Sequence, residues 1–193
     1  MLAAGAPVGP SDPPAGIPAE EVARTGFDIT ELLVAVAGSL RSIHAAAPGP
    51  AGVDRPDAGP AALVARARRR VAAGSVDRAR FDPPYQRYDP AALLDLVERG
   101  RPADPAPEDL TVIHGGARLD RVWFDDGQVS GWSSLDDGGV GDPYRDLATM
   151  AVDLAARVTP EALGPFIDAY GLDHPDVVRL DWHVVLDQLL RDP

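Results

Sequence analysis

The chain contains no cysteine and no lysine, only two methionines, and aromatic residues at 6% of its 193 positions. Each shortage removes a possibility. Without cysteine there is no disulfide framework and no thiolate metal site. Without lysine every permanent cation is an arginine. No apolar run approaches the roughly 18 residues that suggest a membrane span. The N-terminus lacks the basic and compact apolar regions of a secretory signal, so a soluble, cytoplasmic protein is expected. A formal charge of −12 disfavours nucleic acid and anionic membrane as partners and would attract cationic ligands.

What remains is ordinary for a globular protein: 45% hydrophobic and 25% charged residues, enough chain for one domain with a substantial core. Residues 1–26 are rich in Ala, Gly and Pro without sustained periodicity and read as an irregular lead-in, leaving 27–193 as the domain. Asp28 and Glu31 have capping-box spacing, and Leu32, Leu33, Val36, Leu40 and Ile43 share one helical face, predicting a helix that ends near His44, before Pro48-Gly49-Pro50. A second helix is predicted from about Ala61 to Ala73, stopped at Gly74, and a third from Asp89-Pro90 to Gly100. After a proline-rich linker comes an apolar strand, Leu110 to Ile113. Arg121–Phe124 and Gln128–Trp132 then form a hairpin around Asp125-Asp126-Gly127. The rest reads as helical: about Pro143 to Val158, Pro160 to Tyr170 capped by Thr159 and ended by Gly171, and Pro175 to Leu190. The fold class is therefore α+β and mainly α.

The stretch from Leu110 to Met150 carries the chemistry. It reads LTVIHGGARLDRVWFDDGQVSGWSSLDDGGVGDPYRDLATM: an apolar run ending in His114-Gly115, a hairpin, then Gly141-Asp142-Pro143 and Asp146-Leu147-Ala148 at a helix start. This layout resembles the aminoglycoside phosphotransferase family, whose fold is protein-kinase-like. Leu40-Arg41-Ser42-Ile43-His44, the segment Arg66 to Asp77, and the terminal Leu186-Asp187-Gln188-Leu189-Leu190 are similar to segments of the aminoglycoside 3'-phosphotransferases. The resemblance implies the helical C-terminal lobe with its small central hairpin, and no N-terminal lobe, since no Gly-rich loop follows a strand here.

In that family the first motif runs His-Gly-Asp, four residues, then Asn, and a second Asp precedes the Asp of Gly-Asp-Pro by eight positions. Here those three positions hold Gly116, Arg121 and Ser134. Phosphoryl transfer needs a carboxylate to orient the acceptor hydroxyl, and Asn and Asp oxygens to hold magnesium in octahedral geometry. Gly116 offers no side chain, Ser134 a neutral hydroxyl, and Arg121 a repelling cation. The family's phosphate-contacting lysine has no counterpart. The resemblance thus implies no intact catalytic residue, no metal site and no cofactor, with His114, Asp142 and Asp146 retained as frame.

Aminoglycosides are polycations, and the resemblance puts Asp77, Asp82, Asp137, Asp187 and Gln188 at candidate ligand-binding positions. Asp120 lies near the lost carboxylate but on a different arc of the loop. Trp123, Trp132 and Trp182 are expected in the core or an interface. The reading is a catalytically inactive pseudoenzyme that binds a small cationic ligand or a protein partner. The alternative is a residual phosphotransferase completed by another chain, or new chemistry in the old cleft. A homo-oligomer is a further expectation, through the Leu32, Leu33 and Val36 helix and the segment before it; the competing expectation is that residues 1–26 fold back and cover that surface.

Overall fold

The computed structural model describes residues 14–46, 56–134 and 137–191. Pro48-Gly49-Pro50, Asp136 and residues 1–13 of the lead-in lie outside them.

Local sequence signals set most of the elements. The Asp28 carboxylate accepts from the backbone N–H groups of Thr30 (2.7 Å) and Glu31 (3.2 Å) and starts a 16-residue helix, Ile29–His44. Asp89 caps the helix Pro90–Arg99 through Ala92 N, and Asp176 caps Val177–Leu190 through Arg179 N. Asp126 and Gly127 both take positive φ (51° and 76°), as a tight hairpin turn between Val122–Asp125 and Gln128–Trp132 requires. Gly171, at φ 94°, ends the helix Leu163–Tyr170 in the left-handed conformation. Thr159 gives that segment no side-chain cap; its first turn, Pro160–Ala162, is a 3-10 helix.

In chain order the strands are β1 (Ile17–Pro18), β2 (Asp57–Ala58), β3 (Thr111–Ile113), β4 (Val122–Asp125), β5 (Gln128–Trp132) and β6 (Gly139–Gly141). The helices are α1 (Ala19–Val22), α2 (Ile29–His44), α3 (Pro60–Ala72), α4 (Pro90–Arg99), α5 (Tyr144–Arg157), α6 (Leu163–Tyr170) and α7 (Val177–Leu190). They build two small sheets, β1-β4-β5 and β2-β6-β3. One apolar cluster joins α1, α2, α5, α6 and β4; a second joins α3, α4 and α7. Helix α7 serves both, through Leu180 on one side and Trp182, Leu186 and Leu189 on the other. The site lies between them, where β3, β6 and the start of α5 meet.

Two expectations are corrected. The irregular lead-in does not extend through residue 26: Ile17 pairs with Phe124 and Pro18 with Trp123, and Ala19 and Val22 are buried in the first cluster. The face of Leu32, Leu33 and Val36 is not bare either. All three are buried against α6 and the residues around them. The N-terminal segment covers the core that an isolated lobe was expected to expose.

Candidate functional site

Asp146, in the first turn of α5, organises the site. Its carboxylate is fully buried, and its Oδ2 accepts from His114 N at 2.6 Å. Its Oδ1 accepts from Gly115 N at 2.8 Å and more weakly from Ala117 N at 3.4 Å. Nε2 of His44 lies 3.1 Å from Oδ2, and Nδ1 of His44 lies 2.6 Å from the Tyr170 hydroxyl. A carboxylate only accepts, so His44 donates Nε2–H to Asp146 and accepts a hydrogen bond from the Tyr170 hydroxyl at Nδ1. Burial, reinforced by the Asp146 charge, pushes the Tyr170 phenol up to about 12. Burial alone would raise Asp146, but the hydrogen bond from His44 and the charge of Arg145 outweigh it and hold the carboxyl below its ordinary value.

Gly115 is required where it stands. Its φ is +86°, and a β-carbon there would meet the Asp137 carbonyl oxygen at 1.9 Å. His114 is fully buried beside Trp132, with ring centroids 5.0 Å apart and Nε2 2.9 Å from Ser133 O. Burial lowers its pKa, so it is held neutral as part of the frame. Asp142 is likewise buried. It accepts from Tyr144 N (3.0 Å), from Arg179 Nε (2.5 Å) and faces His183 Nε2 (3.1 Å), fixing the entry to α5.

Beside this frame opens a cleft of about 330 Å³ bordered by Gly115, Gly116 and Asp137, with Asp187 on α7 across it. The three positions that the resemblance singles out do not all meet there. Gly116 and Arg121 do, and Arg121 Nη1 donates to the Gly116 carbonyl at 3.1 Å. Ser134, exposed and left-handed at φ 59°, does not border the cleft. The donor set does not fit magnesium: a bare glycine, a guanidinium and a remote hydroxyl supply none of the hard anionic oxygens it takes. No asparagine occurs anywhere in the sequence to replace the lost amide. Asp120 borders the cleft, but its Oδ2 lies 3.6 Å from Arg157.

The candidate ligand carboxylates are mostly committed elsewhere. Asp82 is gripped in bidentate fashion by Arg191 (2.7 and 2.9 Å) and also accepts from Gln188 (2.7 Å). Burial pushes Asp82 up, but Arg191 and Gln188 prevail and hold it low. Asp187 accepts from Arg118 (2.9 Å) and Arg191 (2.8 Å). Asp137 pairs with Arg66, and Asp77 caps a short 3-10 turn by accepting from Ala79 N. Gln188 is buried, and its Oε1 accepts from Asp82 N. None of the five presents an unpaired anionic surface to the cleft.

What sequence reasoning missed is the arginine wall. Arg80, Arg118, Arg121, Arg145, Arg157 and Arg191 border the cleft, against three aspartates, in a chain whose formal charge is −12. One signal could have shown it. Arg145 sits in the first turn of α5, where a cation opposes the helix dipole, and a broken local rule often marks a site.

The comparisons with known proteins agree with this frame. The model of the phosphotransferase enzyme family (APH) matches residues 15–182, and the chain belongs to that family. Within it, the chain is similar to the aminoglycoside 3'-phosphotransferases. It is 29% identical over 125 residues to one from Escherichia coli, covering 65% of this chain and 45% of the relative. It is 33% identical over 134 residues to one from Streptomyces fradiae, covering 66% and 48%. The chain therefore spans about half the length of the curated relatives it matches. The crystal structure of aminoglycoside-3'-phosphotransferase of type VIII superposes with a TM-score of 0.77 at 31% identity, covering 92% of this chain and 67% of that one. A mainly helical, kinase-like α+β fold is what this likeness carries. Among the described residues no helix is long and apolar enough to cross a membrane.

Proposed function

We propose that this chain is a catalytically inactive member of the phosphotransferase family that acts by binding a small molecule in the cleft beside Gly116. One observation carries the reading. The position of the family's catalytic carboxylate is a glycine, and the guanidinium of Arg121 fills the space its side chain would take, 2.7 Å from an ideal β-carbon. Catalysis of phosphoryl transfer is chiefly positioning and charge stabilisation by metal and carboxylate, and this arrangement supplies neither. The frame meanwhile stays intact around Asp146, so the cleft keeps its shape while its chemistry differs.

Isothermal titration with magnesium and ATP, paired with a coupled assay for ADP release in the presence of an aminoglycoside panel, tests the reading. Neither magnesium-dependent nucleotide binding at micromolar affinity nor turnover is expected. Turnover by the purified chain would overturn it.

A further inference from the structure

We propose that the cleft takes an oxyanion, a phosphate or carboxylate group held directly by the guanidinium groups of Arg121 and Arg145 without a metal ion. The inference rests on the reading above and names the ligand class. Arg121 donates through Nη1 to Gly116 O at 3.1 Å, and Arg145 donates through Nε to Gly115 O at 2.9 Å. Two cations are thus tethered by one N–H each to the carbonyls of adjacent residues, at the same rim of one cleft.

Their remaining donors are unspent. Arg145 is only 4% exposed, yet neither of its Nη atoms has a hydrogen-bond partner or is sealed from solvent among the described residues, so both open on the cleft. Donors that open on the cleft are available to an acceptor that enters it, and a charged oxygen there gains charge-assisted hydrogen bonds. Two of the three carboxylates of the cleft are engaged, Asp187 by Arg118 and Arg191 and Asp137 by Arg66, while Asp120 faces Arg157 at 3.6 Å. The planar guanidinium fork matches the paired oxygens of phosphate and carboxylate, and at about 330 Å³ the cleft suits a small ligand.

The test is calorimetric titration of the full chain with pyrophosphate and with citrate, each in EDTA at low ionic strength. Kanamycin serves as the polycation arm, and Arg121→Gln, Arg145→Gln and the distant Arg87→Gln as variants. Binding of at least one anion is expected, weakened on the order of tenfold by either cleft variant, unchanged by Arg87→Gln and weakened by salt. The stronger of the two anions tells phosphate from carboxylate. If Arg145→Gln fails to melt cooperatively, Arg121→Gln, partly exposed, decides alone. Absence of binding by both anions overturns the inference, as does binding that the cleft variants leave unchanged. If kanamycin binds while the anions do not, the oxyanion is wrong but a small-molecule cleft stands. ATP turnover would instead remove the non-catalytic reading beneath it.

Discussion

Arg121 Nη1 stands 2.7 Å from the point where a β-carbon on Gly116 would lie. Gly116 and Arg121 are therefore sterically coupled: the small residue makes room for the large one. Restoring Gly116→Asp alone places a carboxylate against Arg121, and the pair neutralises itself. No magnesium or manganese binding is expected in that single variant. With Arg121→Asn and Ser134→Asp added, the carboxylate at 134 still lies off the cleft that residues 116 and 121 border, so no tight metal site is expected there either. Phosphoryl transfer should remain absent. Manganese relaxation measurements on both variants decide it, and a metal site in the single variant would show that Arg121 swings away freely.

Gly115→Ala should destabilise the domain by more than about 2 kcal/mol, because the added methyl meets the Asp137 carbonyl at a positive φ. Gly164→Ala, in a helix with nothing within 4 Å of its added methyl, should be neutral or slightly stabilising. Urea unfolding of the two variants side by side gives the comparison.

Asp146→Asn should cost roughly 3 kcal/mol, since an amide places two donors where His114 N, Gly115 N and His44 already donate. Hydrogen exchange at the His114 and Gly115 amides should accelerate with it. Unchanged protection there would mean the carboxylate is not what holds the loop.

Stability should fall on acidification in two stages. Burial lowers the pKa of His114 and His183 below the ordinary 6.5, so below that value the unfolded chain binds protons that the fold refuses. Asp82, Asp142 and Asp146 are held below the ordinary 3.8, so their contribution is present above that value and is lost as pH falls through their lowered pKa values. Melting temperatures between pH 8 and pH 3 should decline from about pH 6.5 and more steeply below about pH 4. His183→Gln should flatten the first stage.

Val22→Asp should destabilise by roughly 3 kcal/mol, because Val22 is buried beneath β4 as part of the core and a lone carboxylate there has no partner. A negligible effect would return residues 17–22 to the status of a loose lead-in.

The elements that could be read from sequence are those whose cause is local. Asp28, Asp89 and Asp125-Asp126-Gly127 act on backbone groups a few residues away, so caps and turn are visible in the letters. The family frame was legible too, because His114, Asp142 and Asp146 keep their spacing. What could not be read depends on distant partners. Strand β1 is two residues long and exists only because β4 lies beside it, and β2 likewise depends on β6. Asp82 looked available to a cation until Arg191 was seen to close on it from the far end of the chain. Arg145 breaks the dipole rule at the start of α5, which the letters do show, but that it borders a cleft follows only from the fold.

The pairing of β1 with β4 also bears on how the protein keeps to itself. Strand β4 has β5 on one side, and its other side would be a row of open amides and carbonyls inviting another chain. The segment that takes that place is two residues long, and its second residue is Pro18, which has no N–H to offer. On that edge the sheet gives a poor template for further strand addition.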